Sequence, residues 1–186
     1  MTKRLFIAIK IDPTEELFRR INFLKRNLEE ENINWIREDH LHITLRFLGN
    51  TPERKIAGLV SSVEKSLSQF EPFELSLEGL SFFGSRYSPK VIWAGVEPKQ
   101  NLENIFNEIN KAIAVFGFKV DRQNFVPHLS IARIRKLKEK AFFHQVIENA
   151  DLSQIQKQQI NTIILYESIL HPRGAEYKIV KKFQFQ

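Results

Sequence analysis

The tetrapeptide His42-Ile43-Thr44-Leu45 recurs 86 residues later as His128-Leu129-Ser130-Ile131, and both copies alternate polar with apolar residues. Alternation of this kind marks a β-strand with one packed face and one polar face. Period-two geometry also sets the histidine and hydroxyl of each copy side by side on the polar face. The first copy lies in the cleanest run of the chain. There Leu41, Ile43, Leu45 and Phe47 fall on one face, and His42, Thr44 and Arg46 on the other. By chance about 0.08 matches to this pattern are expected in such a composition, so a pair of them is a specific signal.

The rest of the chain reads as strands and helices in two similar successions. Leu5, Ile7 and Ile9 predict an opening strand. Asp12-Pro13-Thr14-Glu15 then starts a helix carrying Leu17, Ile21, Leu24 and Leu28 at helical spacing. Residues 34–38 lead into the strand of the first motif, and Gly49 to Glu53 turn into a helix reaching Ser68. Strands are predicted at 73–80 and 91–96, a helix at 101–116, and the second motif on a strand at 127–134. A helix at 141–149 and closing strands at 160–170 and 177–185 complete the reading. No linker divides the chain, and the succession predicts an α+β fold: one domain over residues 1–186 with two pseudo-symmetric lobes of antiparallel sheet and flanking helices.

Composition narrows the chemistry. The absence of cysteine removes disulfides, thiolate metal sites and cysteine nucleophiles together, and fits a reducing compartment. The apolar run from Leu5 to Ile9 is too short for a signal-peptide core or a membrane span, so a cytoplasmic protein is expected, without a membrane partner and monomeric by default. A net charge of +6 favours polyanionic partners, and Arg133, Arg135, Lys136, Lys138 and Lys140 concentrate it locally.

Two facing histidines supply a proton acceptor and a proton donor near neutral pH, which is what in-line displacement at phosphorus requires. Thr44 and Ser130 can donate to nonbridging phosphate oxygens. Arg46 shares the parity of His42 and Thr44, which points it to the same face. Arg133 has the wrong parity relative to His128 unless a bulge or strand end redirects it. This chemistry needs no metal and no cofactor.

Two other readings compete. Asp39, His40, His42 and His128 can be imagined as ligands of a hydrolytic zinc or manganese, although no further ligand cluster lies near His128. Alternatively the chain is a non-catalytic RNA-binding module, with Phe47, Phe125, Tyr166 or a tryptophan stacking bases. His144 and His171 carry no comparable motif.

Taken together, the opening LFIAI, the stretch WIREDHLHITLRFLG, FVPHLSIARI and the late LYESIL resemble the RNA 2′,3′-cyclic phosphodiesterases, also called 2′-5′ RNA ligase-like proteins, of the two-histidine (2H) phosphoesterase superfamily. The resemblance runs nearly end to end. It implies two lobes that each offer one motif to a central cleft. It also implies hydrolysis of an RNA terminal 2′,3′-cyclic phosphate to a 2′-phosphomonoester, without metal or nucleotide cofactor, and reversible 2′-5′ joining of RNA ends. By position, His42 resembles the proton donor to the leaving 3′ oxygen and His128 the acceptor that activates water. Arg133 matches the arginine that follows the second motif. Ser130 stands where that motif usually has threonine, which keeps the hydroxyl and loses a methyl.

Overall fold

The computed structural model describes residues 1–119, 125–150, 154–172 and 174–186. In chain order the elements are β1 (Thr2–Lys10), α1 (Glu15–Asn27), β2 (Asn32–Trp35), a 3-10 turn (Glu38–His40), β3 (His42–Pro52) and α2 (Glu53–Leu67). They continue as β4 (Phe73–Ser85), β5 (Ser88–Glu97), α3 (Lys99–Ala114), β6 (His128–Lys136), α4 (Lys140–Glu148), β7 (Gln154–Ile160), β8 (Thr162–His171) and β9 (Gly174–Gln184). The fold is α+β, as the sequence predicts.

All strand pairings are antiparallel, in the order β7-β4-β5-β6-β3-β1-β8-β9, with β2 added beside β6. The order divides into two sets of four, each with a motif strand at its inner edge. Those inner strands, β3 and β6, share a single register pair, Ile43 with Leu129, the second residue of each motif. The two halves therefore meet at a narrow seam.

Each helix buries one apolar stripe under the sheet. The α1 stripe is Leu17, Ile21 and Leu24, and its first turn is capped by the Thr14 hydroxyl, which accepts from the Leu17 amide. The helices cross between halves. Following β1, α1 packs against β7 of the other half, whereas α3, which follows β5, packs beneath β3. One hydrophobic cluster consequently runs through both halves, from Ile7 and Ile43 to Leu129 and Phe143.

One expectation about the strands needs correction. The closing strand read from Ile160 is β8, which starts at Thr162, and an unexpected strand, β7, precedes it and ends at Ile160. The polar sequence of β7 hid it. Gln156 accepts from the Thr14 amide at 2.9 Å and donates to the Asp12 carbonyl at 2.9 Å, while Gln158 accepts from the Asp12 amide and donates to the Lys10 carbonyl, both at 3.0 Å. Side chains that satisfy the backbone of the β1–α1 connection take the place of apolar ones.

Candidate active site

The seam decides how the two motifs face each other. Because β3 and β6 run antiparallel through Ile43 and Leu129, one further step of register sets His42 level with Ser130 and Thr44 level with His128. Each histidine thus faces the hydroxyl of the other motif. All four side chains are half-buried, and the alternating residues Ile43, Leu45, Leu129 and Ile131 are buried on the opposite face.

The imidazoles are held in matching ways. Nδ1 of His42 lies 2.6 Å from the His40 carbonyl, and Nδ1 of His128 lies 2.7 Å from the Val126 carbonyl, two residues upstream in both cases. A carbonyl only accepts, so Nδ1 carries the proton in each neutral ring and Nε2 is left available to a substrate. Aromatic rings wall both: Phe6 at 5.1 Å and Tyr177 at 5.4 Å beside His42, and Phe83 at 4.7 Å and Trp93 at 6.1 Å beside His128. Burial lowers both pKa values from the ordinary imidazole range, and the Arg133 charge lowers them further, outweighing the carbonyl hydrogen bonds that favour the charged form. His40 and His128 add to the depression at His42.

Bulges overturn the parity expectation for Arg46 and supply the redirection that Arg133 requires. In β3, Ala8 pairs with Thr44 but Ile7 pairs with Arg46, so Leu45 is an extra residue and the alternation slips. Arg46 thereby shares the face of the core residue Ile7 and donates to the Lys119 carbonyl beyond α3, away from the histidines. Phe47, expected in the packed row, is instead 62% exposed and pairs with Phe6, whose ring touches His42. The same slip occurs in β6, where Trp93 pairs with Ser130 and Ile92 with Ala132. Ala132 joins Ile131 in the core and exposed Arg133 returns to the histidine face, where its charge reaches His42, His128 and the Tyr177 hydroxyl. Phe47 and Arg133 are thus equivalent positions, five residues after each motif histidine.

Other candidates scatter. Lys138 of the basic run pairs with Glu30 at 3.1 Å. His144 is buried in α4, with Nε2 2.8 Å from the Arg86 carbonyl, and His171 pairs with Glu176 at 3.0 Å. Asp39 is held by Arg37, and the His40 ring lies 4.5 Å from Tyr177. Among the described residues, no three His, Asp or Glu side chains are grouped to hold a metal ion, and no helix is long and apolar enough to cross a membrane. Phe6, Phe83 and Tyr177 belong to no motif visible in the sequence. In β1, Phe6 is off the Leu5-Ile7-Ile9 face, the one signal that pointed to the cleft. Beside His42 a cavity of about 730 Å³ opens between the β8–β9 hairpin and residues 37–41.

Comparison with known proteins gives the same assignment as the motifs. A Thermotoga maritima protein named RNA 2′,3′-cyclic phosphodiesterase is 30% identical over 185 residues, covering 98% of this chain and 96% of that one. Crystal structures of Escherichia coli LigT complexed with 3′-AMP and of a Thermus thermophilus protein share the fold. The first has a TM-score of 0.77 at 22% identity, covering 100% of this chain and 99% of the other. The second has a TM-score of 0.77 at 20% identity, covering 97% of both. The family model of the 2′-5′ RNA ligase superfamily matches residues 13–166, and the chain belongs to that superfamily.

Proposed function

We propose that the chain hydrolyses the 2′,3′-cyclic phosphate at an RNA end to a 2′-phosphomonoester, with His128 as general base and His42 as general acid. The observation that carries this reading is the matched pair of imidazoles, each locked through Nδ1 to a carbonyl so that Nε2 faces the substrate. Water attacks phosphorus as His128 takes its proton. The bond to the 3′ oxygen breaks as protonated His42 gives that oxygen a proton, leaving a free 3′-hydroxyl. Burial favours the neutral form of both histidines in the free protein; the phosphate anion opposes that depression and favours the protonated His42 that the step needs. Thr44 and Ser130 donate to nonbridging oxygens, and Arg133 holds the charge that accumulates there.

The net charge of +6 and the exposed Phe47 ring support an RNA strand as the substrate, with stacking on Phe47. The name of the Thermotoga maritima relative supports the same activity. By microscopic reversibility, an RNA hydroxyl in place of water joins two ends through a 2′-5′ linkage.

The test is to incubate the protein with an RNA oligonucleotide ending in 2′,3′-cyclic phosphate, with chelator present, and to identify the monophosphate formed. A 2′-phosphate is expected, with turnover reduced about 10²–10⁴-fold in His42→Ala and His128→Ala. Undiminished turnover in either variant rules out the two-histidine mechanism. Activity that returns only with added metal favours a metallohydrolase instead.

A further inference from the structure

The cavity beside His42 is larger than a terminal cyclic phosphate needs. It opens onto His42 without reaching His128, and its walls include Tyr166 and Tyr177 with the carboxylates of Asp39 and Glu176. The described Lys and Arg side chains that line it are already paired, Lys10 with Asp12 at 2.8 Å and Arg37 with Asp39 at 2.7 Å, and His171 Nε2 lies 3.0 Å from Glu176. A second phosphate would have to break those pairs. A neutral planar group with hydrogen-bond donors does not, because each carboxylate oxygen keeps a further lone pair after its ion pair is made.

We infer that this cavity is the pocket for the terminal nucleobase, with Asp39 and Glu176 accepting from base N–H groups and so selecting guanine over uracil. The inference rests on the role proposed above for His42. A histidine at the leaving 3′ oxygen has the terminal ribose beside it, and this cavity is the space that adjoins it. Guanine presents N1–H and the N2 amino group along one edge, a match for a carboxylate that uracil cannot make. Tyr166 and Tyr177 supply the apolar wall that a buried base requires.

The test compares guanosine 2′,3′-cyclic phosphate, uridine 2′,3′-cyclic phosphate and base-free ribose 2′,3′-cyclic phosphate as substrates of the wild type, Ala175→Trp and Glu176→Gln. Ala175 lines the cavity, so tryptophan there fills it. KM for both nucleotides is expected to rise at least tenfold in Ala175→Trp, with the base-free substrate unchanged within twofold. In Glu176→Gln, KM is expected to rise about tenfold for the guanosine substrate alone, with kcat retained. Equal losses on the base-free substrate, or none on any, overturn the base pocket. Losses that appear only when a 5′-phosphate is added to the nucleotide identify a phosphate subsite and also overturn it. If the wild type cleaves none of the three substrates, the hydrolase reading stands or falls on the RNA oligonucleotide above. The pocket is then decided by calorimetry with guanosine 3′-monophosphate: weaker binding to Ala175→Trp supports it, and equal binding overturns it.

Discussion

His42 and His128 are both held below the ordinary imidazole pKa, first by burial and then by positive charge nearby, while their Nδ1 hydrogen bonds act in the opposite direction. A reaction that needs one imidazole neutral and the other protonated loses rate on the acid side when the base is protonated, and on the alkaline side when the acid is deprotonated. Depressed values in the free protein therefore place the bell of kcat/KM on the acid side of about 6.5. Bound phosphate raises the pKa of the acid, so the alkaline limb of kcat is expected at higher pH than that of kcat/KM. Steady-state profiles from pH 4 to 9 check this, and coincident alkaline limbs contradict it. Arg133 and Arg46 divide just as sharply. Arg133→Ala is expected to cost about 10²-fold in kcat/KM and to raise the acid-limb pKa, because it removes both the proposed phosphate clamp and a charge that depresses the histidines. Arg46→Ala is expected to change thermal stability while kcat stays within about threefold, since Arg46 bonds to the Lys119 carbonyl on the helix side.

Single bulges in β3 and β6 do what strict alternation cannot. Each lets one strand keep a histidine and a hydroxyl on the cleft face and then return a third side chain to it five positions on, Phe47 in one copy and Arg133 in the other. Two equivalent strands thus contribute an exposed aromatic ring and a cation, a difference that breaks the symmetry of the site. At the outer edge, β7 is held by its glutamines. Gln156→Leu leaves the Thr14 amide and Asp12 carbonyl without their buried side-chain partner, and is expected to cost about 1–3 kcal/mol, readable as a lower denaturation midpoint. An unchanged midpoint would mean that water replaces the glutamine.

The two halves of the sheet touch at one register pair, yet the helices cross between them and one hydrophobic cluster spans both. Unfolding is therefore expected to be a single transition. Fluorescence of Trp35 and Trp93, which lie on β2 and β5 of the same half, should coincide with far-UV circular dichroism of the whole chain. Separate midpoints would show that the halves unfold independently. The sequence by itself determined the strand faces at both motifs, the helices and their buried stripes, the α+β class and the histidine-hydroxyl pairs, because all of these follow from local periodicity and capping. It also carried Arg133, through resemblance and against parity. Tertiary structure decided the rest. Bulges are set by the partner strand, so the inversion of Arg46 and Phe47 was not written in their spacing. Nor could the polar β7 be read from hydrophobicity, since the backbone groups that Gln156 satisfies lie more than 140 residues away. The aromatic walls around each imidazole and the cavity beside His42 join segments far apart in sequence, and only packing brings them together.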